Sequence, residues 1–261
     1  MWLSLLGPLY VESRGTPWQV PAAKQRALLA TLAIGANNVV HTDVLAEAMW
    51  GANAPPSKAD TIRTYIHRLR RCLGPDAAQR ILARQPGYIL RVDSGELDLL
   101  RFESLVKEGR ACVDAGDWAG ASARLSQAER LWRGTPLADV PERLLHGRYI
   151  RYLEQTRIAA IELRIEAGVR LSRPSAAVVI PELQDLATQH PERERLSLLL
   201  MLAMVRASRQ AEALRVFVEA RSFSVAEYGV NPGPELAEMH NRVLAQDSTL
   251  LTERLDRFSF P

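Results

Sequence analysis

The amino-acid sequence predicts a mainly α-helical chain in two parts: a small α+β region at 1–94 and an all-helical region at 95–261. Three observations predict it. Short alternating apolar runs separated by turn residues are confined to the first part. Beyond Glu96 the apolar spacing is helical throughout, with Gly and Pro as punctuation. Charge divides at the same place, since residues 1–95 hold 11 Lys/Arg against 6 Asp/Glu and residues 96–261 hold 22 against 24. A basic head on a slightly acidic body is the distribution expected when the head meets nucleic acid.

Within the first part, residues 3–6, 9–13 and 18–20 read as short strands, with Gly7-Pro8 and 14–17 as turns. The stretch AAKQRALLATLAIGAN then places Ala27, Leu28, Leu32 and Ala33 at helical spacing and closes on Gly35. Val39-Val40 is long enough only for a bridging strand. Thr42 is placed to cap the helix VLAEAMW, which ends at Gly51, and the two prolines of ANAPP forbid helix before Ser57.

Residues 57–74, SKADTIRTYIHRLRRCLG, carry the most distinctive pattern. Ile62, Ile66, Leu69 and Leu73 fall within one narrow stripe at helical periodicity. Arg63, Thr64, His67 and Arg71 occupy the opposite arc, with Arg68 and Arg70 on its flanks. Ser57 or Asp60 can cap the start, and Gly74-Pro75 is a stop signal. A helix with one apolar and one cationic face can lie on a membrane, bind a partner or enter a DNA major groove. Its neighbours decide. A short helix and a turn precede it, which is helix-turn-helix order, and two alternating segments around Pro86-Gly87 follow it as a β-hairpin, with Arg84 near the tip. A hairpin directly after a recognition helix makes a wing, so the expectation is a winged helix-turn-helix whose Arg63, Thr64, His67, Arg68, Arg71 and Arg84 meet DNA. Guanidinium groups suit that work because they bridge guanine O6 and N7 or clamp phosphate. Lys24 and Arg26 are further candidates for phosphate contact, whereas Trp50, Cys72 and Tyr88 read as packing residues.

The order of strands, helices and wing resembles the OmpR-type DNA-binding domain. The wording is more specifically similar to the Streptomyces antibiotic regulatory protein (SARP) family, through LGPL (6–9), KQRALLA (24–30), AMWG (48–51), RLRRCLG (68–74) and QPGYILRVD (85–93).

The second part continues as helices. Leu99, Phe102, Leu105 and Val106 form one apolar face of a helix closed by Gly116, and AGASARLSQAERLW forms the next, with 134–136 as terminator. A long helix is expected from about Glu142 to Leu171, followed by shorter ones punctuated by Pro174, Pro181, Pro191, Pro232 and Pro234. Ala213, Phe217 and Ala220 fit the small–large–small spacing of tetratricopeptide helices. Val179, Leu183 and Leu186 fit it loosely 34 residues earlier, and Ala121, Leu125 and Ala128 fit again. Stacked helical hairpins with a binding face are the expected result. GDWAGASARLSQAERLWRGTPLADV (116–140), HPERERLSLLLMLAMVRASRQAEAL (190–214) and EYGVNPGPELAEMH (227–240) resemble the bacterial transcriptional activation domain of the same family, so the likeness covers roughly 2–245. SRPSAAVVI departs from it, with a proline where a helix would be opening.

This resemblance implies a small single-unit member of the family: an activator that binds direct repeats near a promoter's −35 region as head-to-tail protomers, as a dimer on double-stranded DNA, and recruits RNA polymerase holoenzyme. The implied targets are antibiotic or other secondary-metabolite gene clusters. A repressor or architectural binder would use the same head, and a helical-repeat adaptor would need only the body.

Other classes find little support. The five histidines show no metal-ligand spacing, and there is neither a nucleophile elbow nor a Gly-rich phosphate loop, so no enzymatic activity, metal or cofactor is expected. No run approaches the roughly 18 apolar residues needed to span a bilayer. The opening MWLSLLGPLY lacks a basic flank and meets Gly7-Pro8 too early for a signal peptide. Cys72 and Cys112 have no redox or ligand spacing, which fits free thiols in the cytoplasm.

Overall fold

The computed structural model describes residues 1–140, 147–171 and 173–251. Its contacts divide the chain into two compact units, 1–107 with 127–158, and 108–126 with the described residues from 159 onward. The fold is mainly α, a winged helix followed by a helical region of stacked hairpins.

In the first unit, β1 (Trp2–Ser4), β2 (Tyr10–Ser13) and β3 (Thr16–Trp18) form an antiparallel sheet in that order, with Leu3 opposite Val11 and Val11 opposite Trp18. The first strand stops short of the expected 3–6. The backbone N–H groups of Leu5 and Leu6 do not continue the ladder but donate to the Asp98 carboxylate at 2.8–3.1 Å. That carboxylate is almost fully buried, and burial raises its pKa above the ordinary aspartate value against the opposing pull of those N–H groups.

Helices α1 (Ala23–Ile34), α2 (Thr42–Trp50) and α3 (Lys58–Cys72) pack on one another, burying Leu28, Leu32, Leu45, Met49, Ile62, Ile66 and Leu69. Two local expectations change. Thr42 opens α2 without capping it, because its hydroxyl donates to the Pro86 carbonyl at 3.0 Å. Ser57 likewise occupies the N-cap position of α3 without a side-chain capping bond. Gly74-Pro75 does end α3, but a further helix, α4 (Gly74–Arg80), begins there. Proline is tolerated in a first helical turn, where its missing N–H would have had no partner.

The second sheet has the order β4-β6-β5, built from β4 (Val40–His41), β5 (Ile81–Arg84) and β6 (Gly87–Leu90), all antiparallel. The expected hairpin and bridging strand are therefore one sheet, with Val40 opposite Tyr88 and His41 opposite Gly87. Here β6 runs so close to β4 that a Cβ at position 87 would stand 1.9 Å from the Val40 carbonyl oxygen. Backbone must move to admit any side chain, so Gly87→Ala is expected to destabilise the first unit by at least about 2 kcal/mol, read as a lowered midpoint in a chemical-denaturation curve.

Helix α5 (Asp98–Asp114) buries Leu99, Phe102, Leu105 and Val106 as its spacing requires, and α6 (Trp118–Glu129) buries Ala121, Leu125 and Ala128. Phe102 meets Trp132 edge-on at 5.3 Å within the first unit. The long helix is α7 (Gly147–Leu171), the expected start at Glu142 lying outside the described residues.

In the second unit α8 (Arg173–Gln189), α9 (Glu194–Arg206), α10 (Gln210–Tyr228) and α11 (Pro234–Leu244) stack in hairpin fashion, α9 packing against the other three. Val179, Leu183, Ala213 and Ala220, positions of the repeat spacing, share one core with Leu196–Val205 residues of α9, and Phe217 packs at its edge. Pro181 does not end a helix as its residue type suggests, for α8 runs through it. Ile180 and Leu183 on either side are buried in that core, and their packing holds both halves of the helix in line. Pro174 stands in the first turn of α8, and Pro234 opens α11.

Candidate nucleic-acid interface

The apolar stripe of α3 is consumed by folding. Ile62, Ile66, Leu69 and Leu73 are each at most 1% exposed, so the helix can present only its other side. On that side Arg63, Thr64, His67, Arg68 and Arg71 are all exposed. Helical geometry sets Arg63, His67 and Arg71 four residues apart, which lines their side chains along one face. Arg84, also exposed, ends β5 immediately before the exposed Gln85-Pro86 turn.

The neighbours of these groups determine what each can do. Arg63 pairs with Asp60 at 3.1 Å, but both side chains are about three-quarters exposed, so the pair is weak and readily exchanged for a stronger anion. The Thr64 hydroxyl donates to the Asp60 carbonyl at 3.1 Å and keeps its lone pairs for another donor. The Arg68 guanidinium lies over the Tyr65 ring at 5.8 Å, and Tyr65 meets Trp50 edge-on at 6.5 Å. An aromatic shelf thus supports one of the cations from below.

Arg70 behaves differently from its neighbours. It is half-buried and donates to the Ile81 carbonyl at 2.6 Å, tying α3 to the first strand of the wing. The sequence signal for this role was its place on the flank of the cationic arc, beside the apolar stripe. Lys58 is held by Asp43 at 2.7 Å, and that hydrogen bond lowers the pKa of the Asp43 carboxyl below its usual value. Arg26 also leaves the list of phosphate candidates. Its guanidinium donates to the carbonyls of Val20, Pro21 and Asp139 at 2.6–3.1 Å, which fastens the start of α1. Lys24 sits over the Trp50 ring at 5.2 Å. Trp50 and Tyr88 are half-buried, as packing residues are.

The resulting surface is an exposed cationic arc with one acidic residue at its N-terminal end, on a helix whose other face is fixed in a core. It can bind a polyanion along a groove. Among the described residues no group of three or more His, Cys, Asp or Glu side chains is placed to hold a metal ion, and no helix is long and apolar enough to cross a membrane.

A basic winged helix joined to a body of helical hairpins defines a DNA-binding transcriptional regulator, and comparison with known proteins agrees. Residues 20–90 match the family model described as transcriptional regulatory protein, C terminal, and residues 97–244 match that of the bacterial transcriptional activator domain. The chain belongs to the Streptomyces antibiotic regulatory protein family. It is 34% identical to the regulatory protein DnrI of Streptomyces peucetius over 256 residues, spanning 95% of this chain and 93% of that one. The regulatory protein AfsR of Streptomyces griseus is 35% identical, but the match spans only 25% of its length. In three dimensions the chain is similar to Mycobacterium tuberculosis EmbR, solved in complex with a low-affinity phosphopeptide. There the TM-score is 0.87 at 33% identity, over 94% of this chain and 65% of that one.

Proposed function

We propose that the chain is a sequence-specific transcriptional activator that binds direct repeats near a promoter's −35 region and recruits RNA polymerase holoenzyme. In this reading residues 1–94 bind DNA and residues 95–261 make the protein contacts. The work is cytoplasmic, at the nucleoid, and the targets belong to a secondary-metabolite gene cluster. One observation carries it: α3 buries its whole apolar stripe and exposes Arg63, Thr64, His67, Arg68 and Arg71 together. The wing brings Arg84 as a backbone contact beside the groove. The near-complete match to DnrI supports the same reading.

Head-to-tail binding of two protomers follows from direct repeats, since a repeat without dyad symmetry cannot be read by a two-fold dimer. Each protomer is expected to neutralise about five phosphates, so log affinity should fall against log salt with a slope of roughly −4 to −5 per protomer. Selection of genomic fragments by the purified full chain, followed by transcription from the selected promoter with purified polymerase, tests the whole. Enrichment of repeated sites and stimulated transcription are expected. A bound promoter whose transcription falls or stays level would make the protein a repressor or an architectural binder instead.

A further inference from the structure

The first unit contains a cavity that DNA recognition does not use. It has a volume of about 270 Å³ and lies among the C-terminal end of α1, strand β4, the start of α2 and the start of α7. Ile34, Val39, Val40, Val44 and Ile150 supply most of its wall. Among the described residues, no carboxylate, Lys or Arg lines it. Val39 and Val44 remain 38% and 40% exposed at its edge, apolar surface that folding has left in water.

Polar groups in the wall are few. The Thr31 hydroxyl is already spent on the Ala27 carbonyl at 2.8 Å, while the Tyr149 hydroxyl has no hydrogen-bond partner among the described residues. Burial and the nearby Glu103 raise the Tyr149 pKa far above the ordinary tyrosine value, so its hydroxyl stays neutral and can donate. Among the described residues, His41 is the remaining polar member of the lining. A mostly apolar hollow with one or two hydrogen-bonding groups is the usual form of a small-molecule site.

The walls connect this cavity to the DNA-reading elements. Val40 and His41, which line it, are paired in register with Tyr88 and Gly87 of the wing. Thr42, next in sequence, gives both its backbone N–H and its hydroxyl to Pro86 at the wing's turn, at 3.1 and 3.0 Å. Gly35 packs so tightly on Val40 that a Cβ there would stand 2.5 Å from its side chain. A ligand seated against Val40 therefore presses on a strand already packed closely against Gly35 and, through its backbone, Gly87.

We propose that this cavity is an effector site for an uncharged, largely apolar small molecule with one hydrogen-bonding group, of about a dozen or so heavy atoms. A planar aromatic alcohol or ketone has the right chemistry: its ring fills the aliphatic hollow, and its oxygen meets the Tyr149 hydroxyl. Occupancy favours one position of β4 and the wing, and so changes affinity for DNA. The effect on DNA rests on the winged-helix reading above, but occupation of the cavity does not.

The probe is 2-naphthol, added to the purified full chain without DNA and followed by its fluorescence. Saturable binding is expected in the wild type, and loss of it by at least tenfold in Val44→Trp and in Val39→Trp, each of which puts an indole at a lining position. Both positions are partly exposed, and the circular-dichroism melts and naphthol-free operator affinities of the two variants should match wild type. In the wild type, saturating 2-naphthol should shift the dissociation constant for the selected promoter fragment at least threefold, with no shift in either variant. Absence of saturable binding, or equal binding by correctly folded variants, overturns the site. Saturable binding that leaves operator affinity unchanged overturns the effector role. If the chain binds 2-naphthol but no genomic fragment is selected at all, it is the DNA-binding reading that has failed, and the site stands.

Discussion

Replacing Arg63, His67 and Arg71 together by alanine should weaken operator binding by at least about 1–3 kcal/mol, roughly 5- to 150-fold in Kd, with an unchanged melting curve. The second half of that expectation follows from exposure. All three side chains are exposed, and the one ion pair they make among the described residues, Arg63 with Asp60, lies in solvent where it stabilises the fold very little. The three stand one helical turn apart, so under the proposed reading each substitution should remove a separate contact along the groove. Fluorescence anisotropy with a labelled operator, repeated across a salt series, separates their roles. An arginine that clamps phosphate takes about one unit from the salt slope when removed, equally on all sequences. One that reads guanine leaves the slope alone and relaxes preference at a single base pair. A triple variant with wild-type operator affinity would remove α3 from the interface. Arg70→Ala serves as the contrasting case, since its guanidinium is occupied by the Ile81 carbonyl. Its loss should loosen the wing and lower thermal stability before it changes the salt slope.

How much of this was legible in the sequence depended on the kind of information each residue carries. The α3 stripe was readable because helical periodicity alone decides which residues share a face, and Ile62, Ile66, Leu69 and Leu73 are buried as the spacing required. Glycine in the hairpin was readable as a turn, but not its reason, which is the close approach of Val40 across the sheet. What spacing cannot show is which partner a polar group has found. Thr42 has the residue type and position of a helix cap, yet its hydroxyl is taken by Pro86, 44 residues away in the chain. Arg26 looks like a free cation at a helix start, yet three carbonyls hold it. Pro181 looks like a terminator, yet the core on either side carries the helix through it. In each case a long-range contact outweighed a local preference. The cavity beside β4 was invisible for the same reason, because its wall is assembled from segments that are distant in sequence.

The second large effect concerns the helical region. Glu162 and Glu166 sit one turn apart on α7, 4% and 3% exposed, and each is matched by arginine. Glu162 accepts from Arg193 at 2.8 and 3.0 Å, while Glu166 accepts from Arg170 at 2.7 and 2.9 Å and also from Arg195. Arg170 is nearly as buried as its partner, and its guanidinium lies 4.2 Å from the Trp118 ring. Such a network is not strongly stabilising as a whole, because removing the charges from water offsets most of their attraction. Breaking it is a different matter. Glu166→Ala leaves the buried Arg170 without its counter-ion, which should cost about 3–5 kcal/mol and lower the melting temperature by roughly 6–20 °C. Arg195, a quarter exposed, can turn to solvent, but Arg170 cannot do so without giving up the Trp118 ring. The double variant Glu166→Leu with Arg170→Met removes both charges and keeps their volume, so it should recover most of the lost stability. Chemical denaturation of Glu166→Leu, Arg170→Met and the double variant measures the coupling directly. If the double variant is as unstable as the sum of the singles, the pair is not coupled, and the stability of this region resides in the apolar core of α8 to α11 alone.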